Sequence, residues 1–352
     1  MLINKNKTDV LIDETIEKIK VHAGFLRLYT VDGILGDIPI YQIESIIILG
    51  SKIDIPAQLI KLCSTHKIPL HILTNLKKYF GSLNFGVDTF ILNRQQQYRA
   101  CLDDHWKLYL AKHILYQKLK TQQIALKNWG LSENILDKSI ERVATAKTNQ
   151  SLNGIEGKAA TYYWDSFSIQ IQKYANNFEW SGRVKHPTID PINSLLSLGY
   201  GLLATQVQTD LSLIGFDPYF GILHTTSPDR PGLTYDMMEL YRVFIVDLWI
   251  LELFKTNAFK PDDFIFTKDG ICTLKPHVKN EFFRLWFKRI KYYTFSTNKE
   301  TISIHDFLKI NSKLLLTWFE HINANKVRDT GRVDRLPESL LVFKNINEFT
   351  KI

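Results

Sequence analysis

A change of hydrophobic period near residue 86 divides this chain into two kinds of structure. Ahead of it, short β-branched runs repeat between turn residues: Phe25 to Val31, Ile34 to Ile40, Ile43 to Leu49 and Ile68 to Leu73. Strand side chains alternate between faces and helix side chains recur every three to four residues, so one period cannot stand in for the other. Asp32-Gly33 between the first two runs is a hairpin signal, and Ile55 to His66 reads as one short helix. From Asn93 to Trp129 the apolar residues Tyr98, Leu102, Trp106, Tyr109, Leu110, His113 and Ile114 recur at helical spacing, and Gly130 stands where a helix C-terminus wants it. Further helical segments follow near 131–149, 155–177, 192–214, 233–257, 277–294 and 305–323. The pattern predicts an α+β chain: a small N-terminal β-rich domain over residues 1–86, then a larger all-helical domain over 87–352. The break falls near Leu83–Phe90, punctuated by Gly81 and Gly86. Residues 326–352, with Lys326, Arg328, Arg332 and Arg335, read as a loosely held tail.

A length of 352 residues suits two domains rather than one small core. Forty-four Lys and Arg against thirty-six Asp and Glu give a formal charge of +8, which favours an anionic partner without naming one. Cys63, Cys101 and Cys272 lie far apart with no CxxC pair. That spacing argues against a disulfide framework or a cysteine-rich zinc site and fits a reducing cytoplasm. No apolar run is long enough to span a bilayer, and the first residues lack the apolar core of a signal peptide. The expectation is a soluble cytoplasmic protein without membrane contact.

Four acidic or imidazole side chains stand on otherwise apolar segments. Glu156, Ala160, Tyr163 and Phe167 share one face of a helix predicted to run from about Ile155, so Glu156 points toward the core side. An ionised carboxylate there is costly unless paired, hydrogen-bonded or bound to a metal. His224 follows the glycine-containing apolar run Pro218 to Leu223. Asp236 and Glu239, at i and i+3, head the stripe continued by Val243 and Val246. Each feature alone has a plain structural reading, such as a satisfied core histidine or an acidic helix start favoured by the helix dipole. Together, carboxylates and one imidazole make a mixed oxygen and nitrogen site suited to Mg²⁺ or Mn²⁺, the chemistry of phosphodiester bonds. Tyr163 and Arg242 are candidate phosphate contacts. So are Arg183 and Lys185, with His186, in the basic loop before Pro191, where Asp190 reads as the N-cap of the next helix. Arg284, Trp286, Lys288, Arg289, Lys291 and Tyr292 form a second basic and aromatic group, compatible with a nucleic-acid surface or with an amphipathic helix.

The order Asn153-Gly154-Ile155-Glu156-Gly157-Lys158-Ala159-Ala160, Gly182-Arg183, Asp190-Pro191-Ile192-Asn193-Ser194-Leu195, Gly221-Ile222-Leu223-His224 and Asp236-Met237-Met238-Glu239-Leu240-Tyr241-Arg242 closely resembles the CRISPR-associated spacer-acquisition integrases, the Cas-one family. The likeness covers roughly residues 22 to 325. It implies a metal-dependent DNA endonuclease and integrase that inserts foreign DNA fragments as new spacers into a CRISPR array. It matches the family's metal-binding glutamate to Glu156, the histidine to His224 and the third acidic ligand to Glu239, with Asp236 at an assisting acidic position. It further implies Mg²⁺ or Mn²⁺ as cofactor, a homodimer formed through the β-rich domain, and a small companion, Cas-two, bridging two dimers on double-stranded DNA. Many members carry aspartate where this chain has Glu239, so the resemblance leaves open which of Asp236 and Glu239 is the direct ligand. Two rival readings use the same residues: a structure-specific nuclease for branched DNA, and a non-catalytic DNA-binding scaffold whose acids only pair with basic groups.

Overall fold

The alternation of Ile43–Leu49 organises the N-terminal part. In the computed structural model this run is a strand whose Ile43, Ile46 and Ile48 are buried. The structure describes residues 8–50, 53–73, 79–83, 85, 87–180, 182–224, 226–296 and 301–324, so the predicted tail at 326–352 and Gly86 lie outside the described residues. The elements run β1 (Thr8–Asp13), β2 (Lys18–His22), β3 (Phe25–Thr30), β4 (Gly33–Pro39), β5 (Ile43–Leu49), α1 (Ala57–His66), β6 (Leu70–Leu73) and β7 (Tyr79–Leu83). Then come α2 (Val87–Leu102), α3 (Asp104–Asn128), α4 (Asp137–Thr145), α5 (Asn149–Gln172), α6 (Pro191–Ile214), α7 (Gly232–Glu239) and α8 (Leu248–Lys255). The last are β8 (Phe264–Phe266), β9 (Cys272–Leu274), α9 (Pro276–Tyr292), β10 (Thr294–Ser296), β11 (Thr301–Ser303) and α10 (Ile304–Asn323). A small strand region is thus followed by a mostly helical one, the predicted fold class.

The chain forms two compact units, one built from the chain up to Gln95 together with Gln208–Asp217, the other from Gln96–Val207 together with Pro218 onward. In the first, β5 pairs in parallel with β1 on one side and β6 on the other, and β7 is antiparallel to β6. Parallel neighbours need a crossover, and α1 supplies it between β5 and β6. β2, β3 and β4 form a separate antiparallel sheet. Ile12, Leu26, Ile43, Ile46, Ile48, Leu59, Cys63 and Leu70 make the core. β1 and β2 lie ahead of the first predicted strand run, which starts at Phe25; Lys18-Ile19-Lys20-Val21-His22 has only two apolar residues to carry its alternation. Thr30 pairs with Gly33, so the hairpin turn is Val31-Asp32, one residue earlier than the sequence pattern placed it, with Gly33 at φ +117.

The helical unit is organised by α3, whose buried residues occupy nearly every face and include His113, Gln117, Lys118, Thr121 and Gln122. It packs on α4, α5 and α7. The helical spacing over Asn93–Trp129 is two helices, broken at Asp103, whose carboxylate caps α3 by accepting from the Trp106 N–H at 3.0 Å. α5 begins at Asn149 rather than near Ile155, capped by a reciprocal pair between Thr148 and Ser151. Gly154 and Gly157 weaken the local helical signal, but burial of Leu152, Ile155 and Ala159 carries the helix through them. Asp190 caps α6 as predicted, accepting from the Asn193 N–H at 2.8 Å. The single helix expected over 233–257 is α7, a π-helical turn at Val243–Asp247, and α8. Two short antiparallel pairs, β8–β9 and β10–β11, also belong to this unit. Among the described residues no helix is long and apolar enough to cross a membrane, and Cys63, Cys101 and Cys272 are free and buried.

Candidate active site

Two glycines set the site up. A Cβ on Gly221 would lie 2.4 Å from the carbonyl oxygen of His224 and 3.0 Å from the backbone of Gly232; one on Gly232 would meet the backbone of Gly221 at 3.0 Å. Only the missing side chains let the segment 221–224 lie this close to the start of α7. The approach brings Asp236 under that segment. Its Oδ2 accepts the backbone N–H groups of Ile222 (2.5 Å) and Leu223 (3.2 Å), and its Oδ1 accepts the N–H of His224 at 2.9 Å. His224 Nδ1 lies 2.7 Å from the same Oδ1. Nδ1–H therefore donates to Asp236, leaving Nε2 as the nitrogen able to accept. Asp236 is fully buried, and these four donors occupy both its oxygens.

The other two predicted acids meet at a cation that the sequence reading passed over. Lys118 Nζ, on α3, is 2.5 Å from Glu156 Oε1 on α5 and 2.7 Å from Glu239 Oε2 at the end of α7. The Lys118 side chain is 4% exposed, Glu239 8%, Glu156 23% and His224 35%. Arg242 Nη1 donates to both oxygens of Glu239, at 3.0 and 3.2 Å. Burial opposes ionisation of Glu239, but the guanidinium of Arg242 and the ammonium of Lys118 outweigh it and bring its pKa down to about 2. Burial likewise works against a charged His224. The hydrogen bond to Asp236, and the negative charges of Asp236, Glu239 and Glu156, overcome it and raise the imidazole above its ordinary value. Among the described residues no three His, Cys, Asp or Glu side chains are gathered closely enough to enclose a metal ion. The carboxylates of Glu156 and Glu239 close on Lys118 instead, and that of Asp236 closes on backbone N–H groups and Nδ1.

Of the four candidate DNA contacts, Lys185 is exposed and within the field of this cluster. Desolvation and Arg242 lower its ammonium pKa, while Glu239 pulls the other way. Arg242 is mostly covered, its charge committed to Glu239 and its guanidinium carbon 4.7 Å from the centre of the Tyr200 ring. Arg183 is bound to Asn193 Oδ1 (2.8 Å) and Ser197 Oγ (3.1 Å) and lies over the Trp164 and Tyr200 rings. Tyr163 is fully buried and its hydroxyl donates to Asp247 Oδ2 at 2.7 Å, a place that gives it to the core rather than to a phosphate. Asp247 also accepts from the hydroxyl of Tyr200. In the group on α9, Trp286 and Arg289 are buried and Arg284 pairs with Glu281, the layout of an amphipathic helix. Lys118 carried the same signal that singled out Glu156: a charged residue on the face of Ile114 and Leu115.

A strand-rich unit is followed by a helical unit in which Glu156 and Glu239 close on one buried cation and His224 is held by Asp236, and the known proteins give this architecture its family. The family model for CRISPR associated protein Cas1 matches residues 10–288, and the chain belongs to that family. CRISPR-associated endonuclease Cas1 3 of Thermus thermophilus is 31% identical over 253 residues, covering 72% of this chain and 75% of the relative. A casposase bound to integration product superposes with a TM-score of 0.65 at 19% identity, covering 93% of this chain and 99% of that one. A Cas6-RT-Cas1–Cas2 complex gives 0.71 at 23% identity, covering 92% of this chain and 36% of the larger chain. These two likenesses show the shared fold.

Proposed function

We propose that this chain is a metal-dependent DNA endonuclease and integrase that inserts DNA fragments as new spacers into a CRISPR array, by attack of a 3′-hydroxyl on a phosphodiester. The observation that carries the reading is the convergence of Glu156 and Glu239 on one buried cation, inside the field felt by His224. Two carboxylates and an imidazole nitrogen are the donors a hard divalent ion takes, and a carboxylate pair that already binds an ammonium suits a cation. Glu156, Glu239 and Nε2 of His224 would hold Mg²⁺ or Mn²⁺. When bound, the ion lowers the pKa of a hydroxyl and stabilises charge on the phosphoryl group.

The remaining work falls to the chain's own side chains. Asp236 fixes the tautomer and orientation of His224, and with both oxygens taken by four donors it is a positioning residue rather than a third ligand. Arg242 keeps Glu239 ionised. Lys185 is placed to meet a DNA phosphate. The names of the relatives support the reading: the Thermus protein is an endonuclease, the casposase structure holds an integration product, and a Cas1–Cas2 assembly shares the fold. The companion protein, and a homodimer formed through the N-terminal β-rich domain (residues 1–86), belong to the same proposal.

Purified protein with its companion is expected to join a labelled 3′-OH duplex to a supercoiled plasmid carrying a CRISPR repeat in Mn²⁺. Glu156→Ala and His224→Ala should each reduce joining at least ~100-fold. Undiminished joining by both variants would overturn the assignment. DNA binding that is steeply salt-dependent but produces no joining or cleavage with any divalent ion would favour a scaffold instead.

A further inference from the structure

Lys118 has no part in the family-derived site, yet it holds the two carboxylates together. α3 is packed against both α5 and α7, so its lysine is delivered to this point by the core of the unit and not by a free surface rotamer. An ammonium has three N–H donors and no acceptor, and two of them are given to Glu156 and Glu239. A divalent ion held by those carboxylates would compete for the same oxygens and stand as a second positive charge beside the first, in a setting where water screens little. The two cations are alternatives.

We infer that Lys118 is an internal competitor of the divalent ion: it stabilises the carboxylate pair in metal-free protein and must release at least one carboxylate when the metal binds. The inference rests on the reading that Glu156 and Glu239 hold the metal. A released ammonium needs another anion, and the phosphodiester backbone of bound DNA is the one this site meets, with Lys185 beside it. Metal and DNA then favour each other's binding, and the coupling is reciprocal. Metal loading is thereby held back until DNA is present.

The test is calorimetric titration of Mn²⁺ into the full chain after EDTA treatment, comparing wild type with Lys118→Met, Lys118→Arg and Glu239→Gln. Lys118→Met is expected to bind Mn²⁺ at least ~10-fold tighter than wild type, to melt at a lower temperature in EDTA, and to gain more melting temperature from Mn²⁺ than wild type does. Lys118→Arg, which keeps the charge, should stay near wild type. Lys118→Gln, which retains an N–H donor for one carboxylate, is titrated alongside and decides the question if the Met variant does not fold. Neutral variants that bind Mn²⁺ with wild-type or weaker affinity overturn the inference. Wild-type Mn²⁺ binding by Glu239→Gln would instead overturn the metal-site reading beneath it, so the two failures are distinguishable.

Discussion

Glu239 and Asp247 lie on one stretch of chain, at the end of α7 and at the end of the π-helical turn, and both are buried carboxylates. Their neighbours treat them in opposite ways. Glu239 is met by two cations, Lys118 and Arg242, which overcome burial and keep it ionised. Asp247 is met by the hydroxyls of Tyr163 and Tyr200; there burial dominates, and its pKa rises despite Arg242 and the two hydrogen bonds. Arg242 faces both, with Nη1 on Glu239 and Nη2 3.4 Å from the Tyr200 hydroxyl. A buried acid among cations is a charge kept available, because another cation can replace the one present. A buried acid among hydroxyls is an anchor, because its partners are neutral and tied into the core. Burial alone does not tell the two apart; the partner does.

The largest expected effect breaks the first half of the comparison. Glu239→Gln should lose measurable Mn²⁺ binding and at least ~100-fold of joining activity, read by plasmid integration. It should also lose stability, since Lys118 and Arg242 are left with less negative charge. Asp247→Leu tests the second half: unfolding by denaturant should show a loss of about 3 kcal/mol, because two buried hydroxyls lose their acceptor. Its Mn²⁺ titration should still give a binding isotherm. An Asp247→Leu protein that kept wild-type stability but bound no metal would erase the distinction. The smallest effect is that of Tyr163→Phe, about 1 kcal/mol of stability with joining and DNA affinity unchanged. A loss of DNA affinity at full stability would restore Tyr163 as a phosphate contact.

Much of the architecture was legible because it follows from period. Alternation in Phe25–Ile40 and Ile43–Leu49, and helical spacing after Asn93, are local properties that the fold keeps. What local reading mistook were boundaries that packing decides. α5 runs back through two glycines to Thr148 because its early residues are buried. The predicted 233–257 helix is interrupted by a π-helical turn that ends in Asp247. In the site, Glu156, His224, Asp236 and Glu239 could be named from charges on apolar segments, but the division of labour among them could not. The sequence spacing of Asp236 and Glu239 is compatible with either acid as ligand. The Gly221–Gly232 approach gives the two acids different partners, three backbone N–H groups and Nδ1 for Asp236 against Lys118 and Arg242 for Glu239.

The sequence by itself determined the two-part architecture, the set of acids and the histidine, and the family, since these depend on residue type, period and order along the chain. The tertiary structure decided which charges face which. Lys118, Glu156 and Glu239 come from three different helices, and nothing in the spacing of one helix reveals what the next presents to it. Electrostatic partnership falls off with distance through space, not along the chain, so it exists only once α3 has packed against α5 and α7.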